Sequence, residues 1–172
     1  MVDLWEGKWT KSAWEPGGID MSGMPQPNEH HQKLRKLVGN WVGQEKLAAS
    51  PAGTAGLATG RINSRLDLEG FFVLEDYSQE RDGHTVFRGH GIFGWDDHEK
   101  EYIWYWVDSM GSVPASPARG KWEGDTLLFE AGTHGRYTYK FMGDNSMNFK
   151  IENSSDGGNT WAPFMEANYR RA

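Results

Sequence analysis

The chain has 172 residues, no cysteine, and a formal net charge of −6 from 24 acidic and 18 basic side chains. That length suffices for one domain with a substantial core. The composition excludes a disulfide-framed scaffold and thiolate chemistry, and without a long basic run it lacks the electrostatic footprint of a nucleic-acid binder.

Nine Trp, eight Phe and six Tyr stand beside 22 Gly. Rings favour strands and glycines mark turns and bulges, so an all-β fold is expected. The N-terminus lacks the basic-then-apolar order of a secretion signal, and no apolar run reaches membrane-spanning length. A cytoplasmic protein without membrane contact is the expectation.

Residues 1–27 differ from the rest. Trp5, Trp9 and Trp14 are scattered among Gly, Pro, Met and charged residues without periodicity. Three tryptophans in a solvated tail would be unusual, so this stretch reads as an arm docked on something apolar, a pocket or a second subunit. Residues 28–172 form the domain. Residues 28–38 are the helix candidate: Asn28 caps, Glu29 suits the first turn, Leu34, Leu37 and Val38 have helical spacing, and Gly39 ends it. His30 and His31 point about 100° apart on such a helix, so they do not chelate one metal and read as surface residues.

Strands follow at 40–49, 57–68, 71–80, 85–95 and 101–110, then at 118–123, 126–131, 136–142, 146–153 and 160–170. The turns between them are marked by Ser50 to Gly56, Glu69-Gly70, Asp82-Gly83, Asp97 to Lys100, Gly111 to Pro117, Glu123 to Asp125, Gly143 to Asn145 and Ser155 to Gly158. Nine or ten strands at this spacing predict an antiparallel meander. Closure into a single barrel removes the sheet edges, and a barrel of this size can hold one small ligand.

Several segments carry a resemblance. They are Met-Pro-Gln-Pro-x-x-Glu-His at 24–31, Leu-Val-Gly-Asn-Trp-Val-Gly at 37–43 and Arg-Gly-His-Gly-Ile-Phe-Gly-Trp-Asp at 88–96. Tyr-Trp-Val-Asp-Ser-Met-Gly at 105–111 and Ile-Glu-Asn-Ser at 151–154 add to them. Together these resemble a widespread bacterial domain-of-unknown-function family grouped with the calycin-like barrels, a group that includes lipocalins, fatty-acid-binding proteins and haem-binding nitrobindins. The likeness covers roughly residues 24–171 and implies the barrel fold. It transfers no catalytic residue. Strands 146–170 contain no histidine, so no haem ligand carries over and no cofactor is expected.

The central pair, 87–110, is where chemistry concentrates. Gly89, Gly91 and Gly94 leave room for the rings of Tyr102, Trp104, Tyr105 and Trp106 to lie across the neighbouring strand. A two-residue Asp82-Gly83 turn pairs Arg81 with His84, and an uninterrupted ladder then sets Glu75 opposite His90 and Tyr77 opposite Arg88. The next turn pairs Asp96 with Glu101, which places Ile92 opposite Tyr105. A Glu69-Gly70 turn sets Ser64 beside Glu75.

One face then collects Ile62, Ser64, Val73, Glu75, Tyr77, Arg88, His90, Ile92, Tyr105, Val107 and Ser109, and reads as the barrel interior. The other collects Arg65, Phe72, Asp76, Phe93, Trp95, Trp104, Trp106 and Asp108. If that second face points outward, its rings form an exposed patch suited to self-association as a homodimer. If it points inward, the pocket is aromatic, with Arg65, Asp76 and Asp108 as its polar groups. A one-residue slip exchanges the two.

On the first reading, Glu75 and His90 form an acid–base pair able to move a proton in the cavity. Arg88 can hold an oxyanion or carboxylate. Tyr77, Tyr105, Ser109, Ser64 and Trp41 complete the ligand-contacting set. No His/Asp/Glu group has metal spacing, so no metal is expected. Three functions follow as expectations: binding of a small aromatic or acyl ligand in the cavity, a cofactor-independent lyase or isomerase using Glu75 and His90, and an interaction module. A satisfied internal hydrogen-bond network that only specifies the fold remains the plain alternative.

Overall fold

The computed structural model describes residues 23–50 and 53–172. The expected arm therefore lies almost wholly outside the described residues, Trp5, Trp9 and Trp14 included. Helix α1 spans Glu29–Leu34 and is followed by one tighter helical turn, Arg35–Leu37. Asn28 caps it through its side-chain oxygen, which accepts from the backbone N–H of His30 and His31.

Ten strands follow: β1 Gly39–Leu47, β2 Gly56–Asp67, β3 Phe72–Arg81, β4 His84–Asp96, β5 Glu101–Asp108, β6 Ala118–Glu123, β7 Thr126–Ala131, β8 Gly135–Phe141, β9 Ser146–Asn153 and β10 Ala162–Arg171. Each pairs antiparallel with the next, and β1 pairs with β10, so the sheet closes into one barrel. The chain is all-β with one short helix near its start, as the turn spacing predicts.

Alternation along the strands decides what faces inward. In β1, Trp41, Gly43, Glu45 and Leu47 are buried while their neighbours are half-buried or exposed. In β8 and β9 the buried side chains include Tyr139, Phe141, Met147 and Phe149. Completely buried rings such as Phe93 and Phe129 each stabilise the fold by roughly 2–3 kcal/mol relative to leaving them in water.

The barrel has two unlike ends. At one, α1 and its following turn cover the opening. Leu34, Leu37 and Trp41 are buried there, and the Trp41 Nε1 donates to the Leu37 carbonyl at 2.9 Å. The Arg171 guanidinium lies over the Trp41 ring and donates to the Val38 and Asp144 carbonyls, tying the last strand to the first. His30 stacks on Trp95 at 3.7 Å, and His31 is buried edge-on against Phe71. The surface expectation for these two histidines is thus corrected: helix docking covers them, and burial, followed by the adjacent His30, lowers the His31 pKa.

Register separates expectation from structure at one place. The Asp82-Gly83 turn forms as predicted, with both residues at positive φ and Arg81 opposite His84. Glu80 then pairs with Thr85 but Gln79 with Phe87, so Val86 is an extra residue in β4. Beyond this bulge every pairing shifts by one. Asp76, not Glu75, faces His90, and Ser78, not Tyr77, faces Arg88.

The reason lies in the glycines. A Cβ on Gly89 would fall 2.1 Å from the Trp106 ring, and one on Gly91 would fall 2.7 Å from Trp104 Nε1. The two tryptophans need the glycine edge beneath them on the inner face, and the bulge supplies it. The Asp96–Glu101, Ile92–Tyr105 and Ser64–Glu75 pairings stand as expected.

Candidate functional site

At the end opposite α1 the interior widens into a cavity of about 630 Å³. Its mouth is formed by Ser50, Gly53 and Thr54 between β1 and β2, the β3–β4 hairpin with Arg81 and Val86, Ser109 and Met110 after β5, and Asn153 at the end of β9. Its walls are rings: Phe87, Trp104, Trp106, Tyr137, Tyr139 and Phe149, with Ile62, Ile151, Phe164 and Met165 between them. The interior is thus assembled from the first predicted face on β2 and β3 and the second predicted face on β4 and β5.

Of the expected site residues, Glu75, Tyr77 and Ser109 line this cavity, and Ser64 is buried beside Glu75. The others do not. His90 projects outward, and its Nδ1 lies 2.8 Å from Asp76, which also accepts from Arg65 at 3.0 Å. The expected Glu75–His90 pair is therefore not formed, because the Val86 bulge turns His90 to the other side of the sheet. Arg88 and Tyr105 are exposed for the same reason.

Arg88, His90 and Asp76 border a shallow outer depression of about 380 Å³. Trp41 belongs to the covered end and packs edge-on against Phe141. The rings expected on an exposed patch lie largely within: Phe93 and Trp104 are buried, and Trp95 and Trp106 are half-buried. The case for self-association through that patch falls with this placement. Arg65 and Asp76, offered for an aromatic pocket, lie outside it, while Asp108 lines it and accepts from Trp106 Nε1 at 3.1 Å.

Two glutamates, Glu45 and Glu75, are buried inside the barrel, besides Asp108 in the cavity wall. Glu45 is completely buried and accepts from Tyr77 Oη at 2.8 and 3.0 Å, from Gln79 Nε2 at 2.7 Å and from the Tyr169 hydroxyl. Tyr77, Gln79 and Tyr169 line the cavity and stand between it and Glu45. Burial first, and then the Glu45 charge, push the Tyr77 and Tyr169 hydroxyls far up, so both remain donors.

Glu75 is different. It is 4% exposed, and its one hydrogen-bond partner among the described residues is Ser64 Oγ, at 3.4 Å. Burial pushes its pKa up to about 8, against which the Ser64 contact pulls only partly. The carboxyl is therefore largely protonated at neutral pH and can donate a hydrogen bond.

Trp104 Nε1 is also buried and has no hydrogen-bond partner among the described residues. The site was partly legible. Tyr137, Tyr139, Phe149 and Ile151 follow strict alternation on β8 and β9, and Glu45 alternates with Trp41 and Leu47. That period-two signal places all of them on the inner face. No group of three or more His, Cys, Asp or Glu among the described residues is arranged to hold a metal ion, and no helix among them is long and apolar enough to cross a membrane.

Comparison with known proteins agrees with this architecture. The family described as protein of unknown function (DUF1579) matches residues 26–171, and the chain belongs to it. Among solved structures, Rv2717c from M. tuberculosis aligns with a TM-score of 0.63 at 12% identity, covering 84% of this chain and 98% of that one. The S-type phycobiliprotein lyase CPES from Guillardia theta aligns with a TM-score of 0.57 at 9% identity, covering 86% of this chain and 98% of the other. These likenesses show a shared fold, the closed antiparallel barrel. No curated protein matches the chain.

Proposed function

We propose that this member of the family binds a small, predominantly aromatic or apolar molecule inside its barrel. The observation that carries this reading is the ring-walled cavity of about 630 Å³ at the end opposite α1. Its size is that of a small-molecule site, and its walls are apolar with a few convergent polar groups.

The test is native mass spectrometry of the protein purified from its own host, followed by extraction of anything bound. A stoichiometric small molecule carrying ring systems is the expected result. A protein that arrives bare and also fails to enhance the emission of an apolar dye would count against the reading.

A second reading is acid–base catalysis of the lyase or isomerase type. One feature favours it: Glu75 is buried in the cavity wall, and burial pushes its carboxyl up to about 8, within the range useful to a proton donor at neutral pH. Such chemistry would rest on Glu75 and the neighbouring tyrosine hydroxyls. The fold does not choose between the two readings, because one barrel scaffold hosts unrelated functions.

A further inference from the structure

We propose that the cavity accepts an uncharged, ring-bearing molecule that presents a carbonyl-type oxygen to the Glu75 carboxyl and the Trp104 indole N–H. This rests on the binding function proposed above and names the chemistry of its ligand.

Three observations converge. First, Trp104 Nε1 and the Cβ of Glu75 both flank Gly91 on the inner face, and both residues line the cavity. A Cβ placed on Gly91 would lie 2.7 Å from Trp104 Nε1 and 3.4 Å from Glu75 Cβ, so the bare glycine is the floor between them. Second, both groups are under-satisfied. Trp104 Nε1 has no hydrogen-bond partner among the described residues, and Glu75 has only Ser64 at 3.4 Å. A buried donor without an acceptor costs free energy, and native proteins retain few of them. An indole N–H can only donate, and a protonated carboxyl has one proton to give, so the missing partner is an acceptor.

Third, the charges around the spot disfavour ions. Glu45 and Asp108 lie on the same interior, and Arg81, the cation of the lining, stands at the mouth and donates to the Thr54 carbonyl. An anionic head at the Glu75 end would find donors but no cation. A cationic head would leave Trp104 Nε1 unpaired. A neutral ketone, aldehyde, amide or ester oxygen satisfies both donors at no cost in buried charge. The walls of Trp104, Trp106, Tyr137 and Phe149 then receive the ring portion.

The experiment is a matched series of naphthalene probes, followed by quenching of tryptophan emission and by calorimetry. The series comprises the methyl ketone, its isopropenyl isostere, the carboxylate and the ethylamine. The ketone should bind about tenfold more tightly than the isopropenyl compound, the worth of one or two buried hydrogen bonds. It should also exceed the carboxylate and the amine.

Glu75→Leu and Trp104→Phe should each shrink the ratio of ketone to isopropenyl affinity several-fold, whatever either substitution does to the ring contacts that both probes share. Glu75→Gln retains a donor and should keep most of the preference, which guards against a general packing defect. Equal affinity for ketone and hydrocarbon would overturn the donor pole while leaving the apolar cavity standing. Tightest binding of the amine or the carboxylate would overturn it in favour of a charged ligand. If no probe binds, the cavity reading itself fails and this inference falls with it.

Discussion

Glu45 and Glu75 occupy the same barrel and are both buried, yet their surroundings are opposite. Glu45 on β1 collects donors from Tyr77 and Gln79 on β3 and from Tyr169 on β10. It therefore fastens the seam where the first and last strands close the barrel. Glu75 on β3 has one distant hydroxyl. A saturated buried carboxyl fixes architecture, whereas a buried carboxyl left almost alone weakens the fold unless it serves something else. The first is read as structure and the second as site, and that contrast is open to attack from either side.

The largest expected effect lies on the Glu45 side. Glu45→Ala would strand two tyrosine hydroxyls and an amide in the interior, so it should destabilise the protein by about 3–5 kcal/mol, the range for removing one partner of a buried charged network. Urea denaturation measures this directly. A loss under about 1 kcal/mol would show that the seam does not depend on this cluster.

The next effect is on the Glu75 side and depends on pH. The folded-state pKa of Glu75 is raised to about 8 from an ordinary value of 4.5. The folded protein therefore holds a proton that the unfolded chain has released across that window. The contribution is fully present below 4.5 and is lost as the pH rises through 8. Asp76, Tyr77, Tyr139 and Tyr169 are titratable groups that interact with Glu75, and none of them is a cation. Wild type should lose stability relative to Glu75→Gln by up to about 1.4 kcal/mol per pH unit inside the window. Parallel denaturation profiles for the two proteins would place Glu75 in a solvated or well-paired setting and erase the contrast with Glu45.

Much of this arrangement was legible in the residues, and the part that was not has a single physical origin. Asn28 marks the helix start and Asp82-Gly83 the hairpin, because caps and left-handed turns demand particular side chains. Ser64 beside Glu75 and Ile92 beside Tyr105 followed from counting back from the turns. The count failed at Val86. A bulge residue there carries no Gly or Pro, so nothing local announces it. What requires it is distant in sequence: Trp104 and Trp106 must lie over Gly91 and Gly89. Strand faces alternate with period two, so one extra residue moved Arg88 and His90 out and the glycine edge in. His31 was likewise misread, because Phe71, its burying partner, is remote along the chain.

The smallest expected effect tests that register and therefore the whole contrast. His90 is 68% exposed at its side chain, and its pairing with Asp76 is a surface interaction shared with Arg65. Pairs of this kind contribute between nothing and about 1 kcal/mol. His90→Ala should accordingly shift stability by no more than about 0.5 kcal/mol and leave the affinity for the naphthalene ketone within about twofold of wild type. The continuous ladder without the Val86 bulge makes the opposite forecast. In it, His90 faces Glu75 inside the cavity, pairs with it and holds it ionised, and loss of the imidazole would strand a buried charge. A fall in affinity or stability of the size expected for Glu45→Ala would restore that ladder and with it the acid–base pair. An unchanged protein would leave Glu75 alone in the cavity, with Trp104 as its neighbour and a ligand oxygen as the partner both lack.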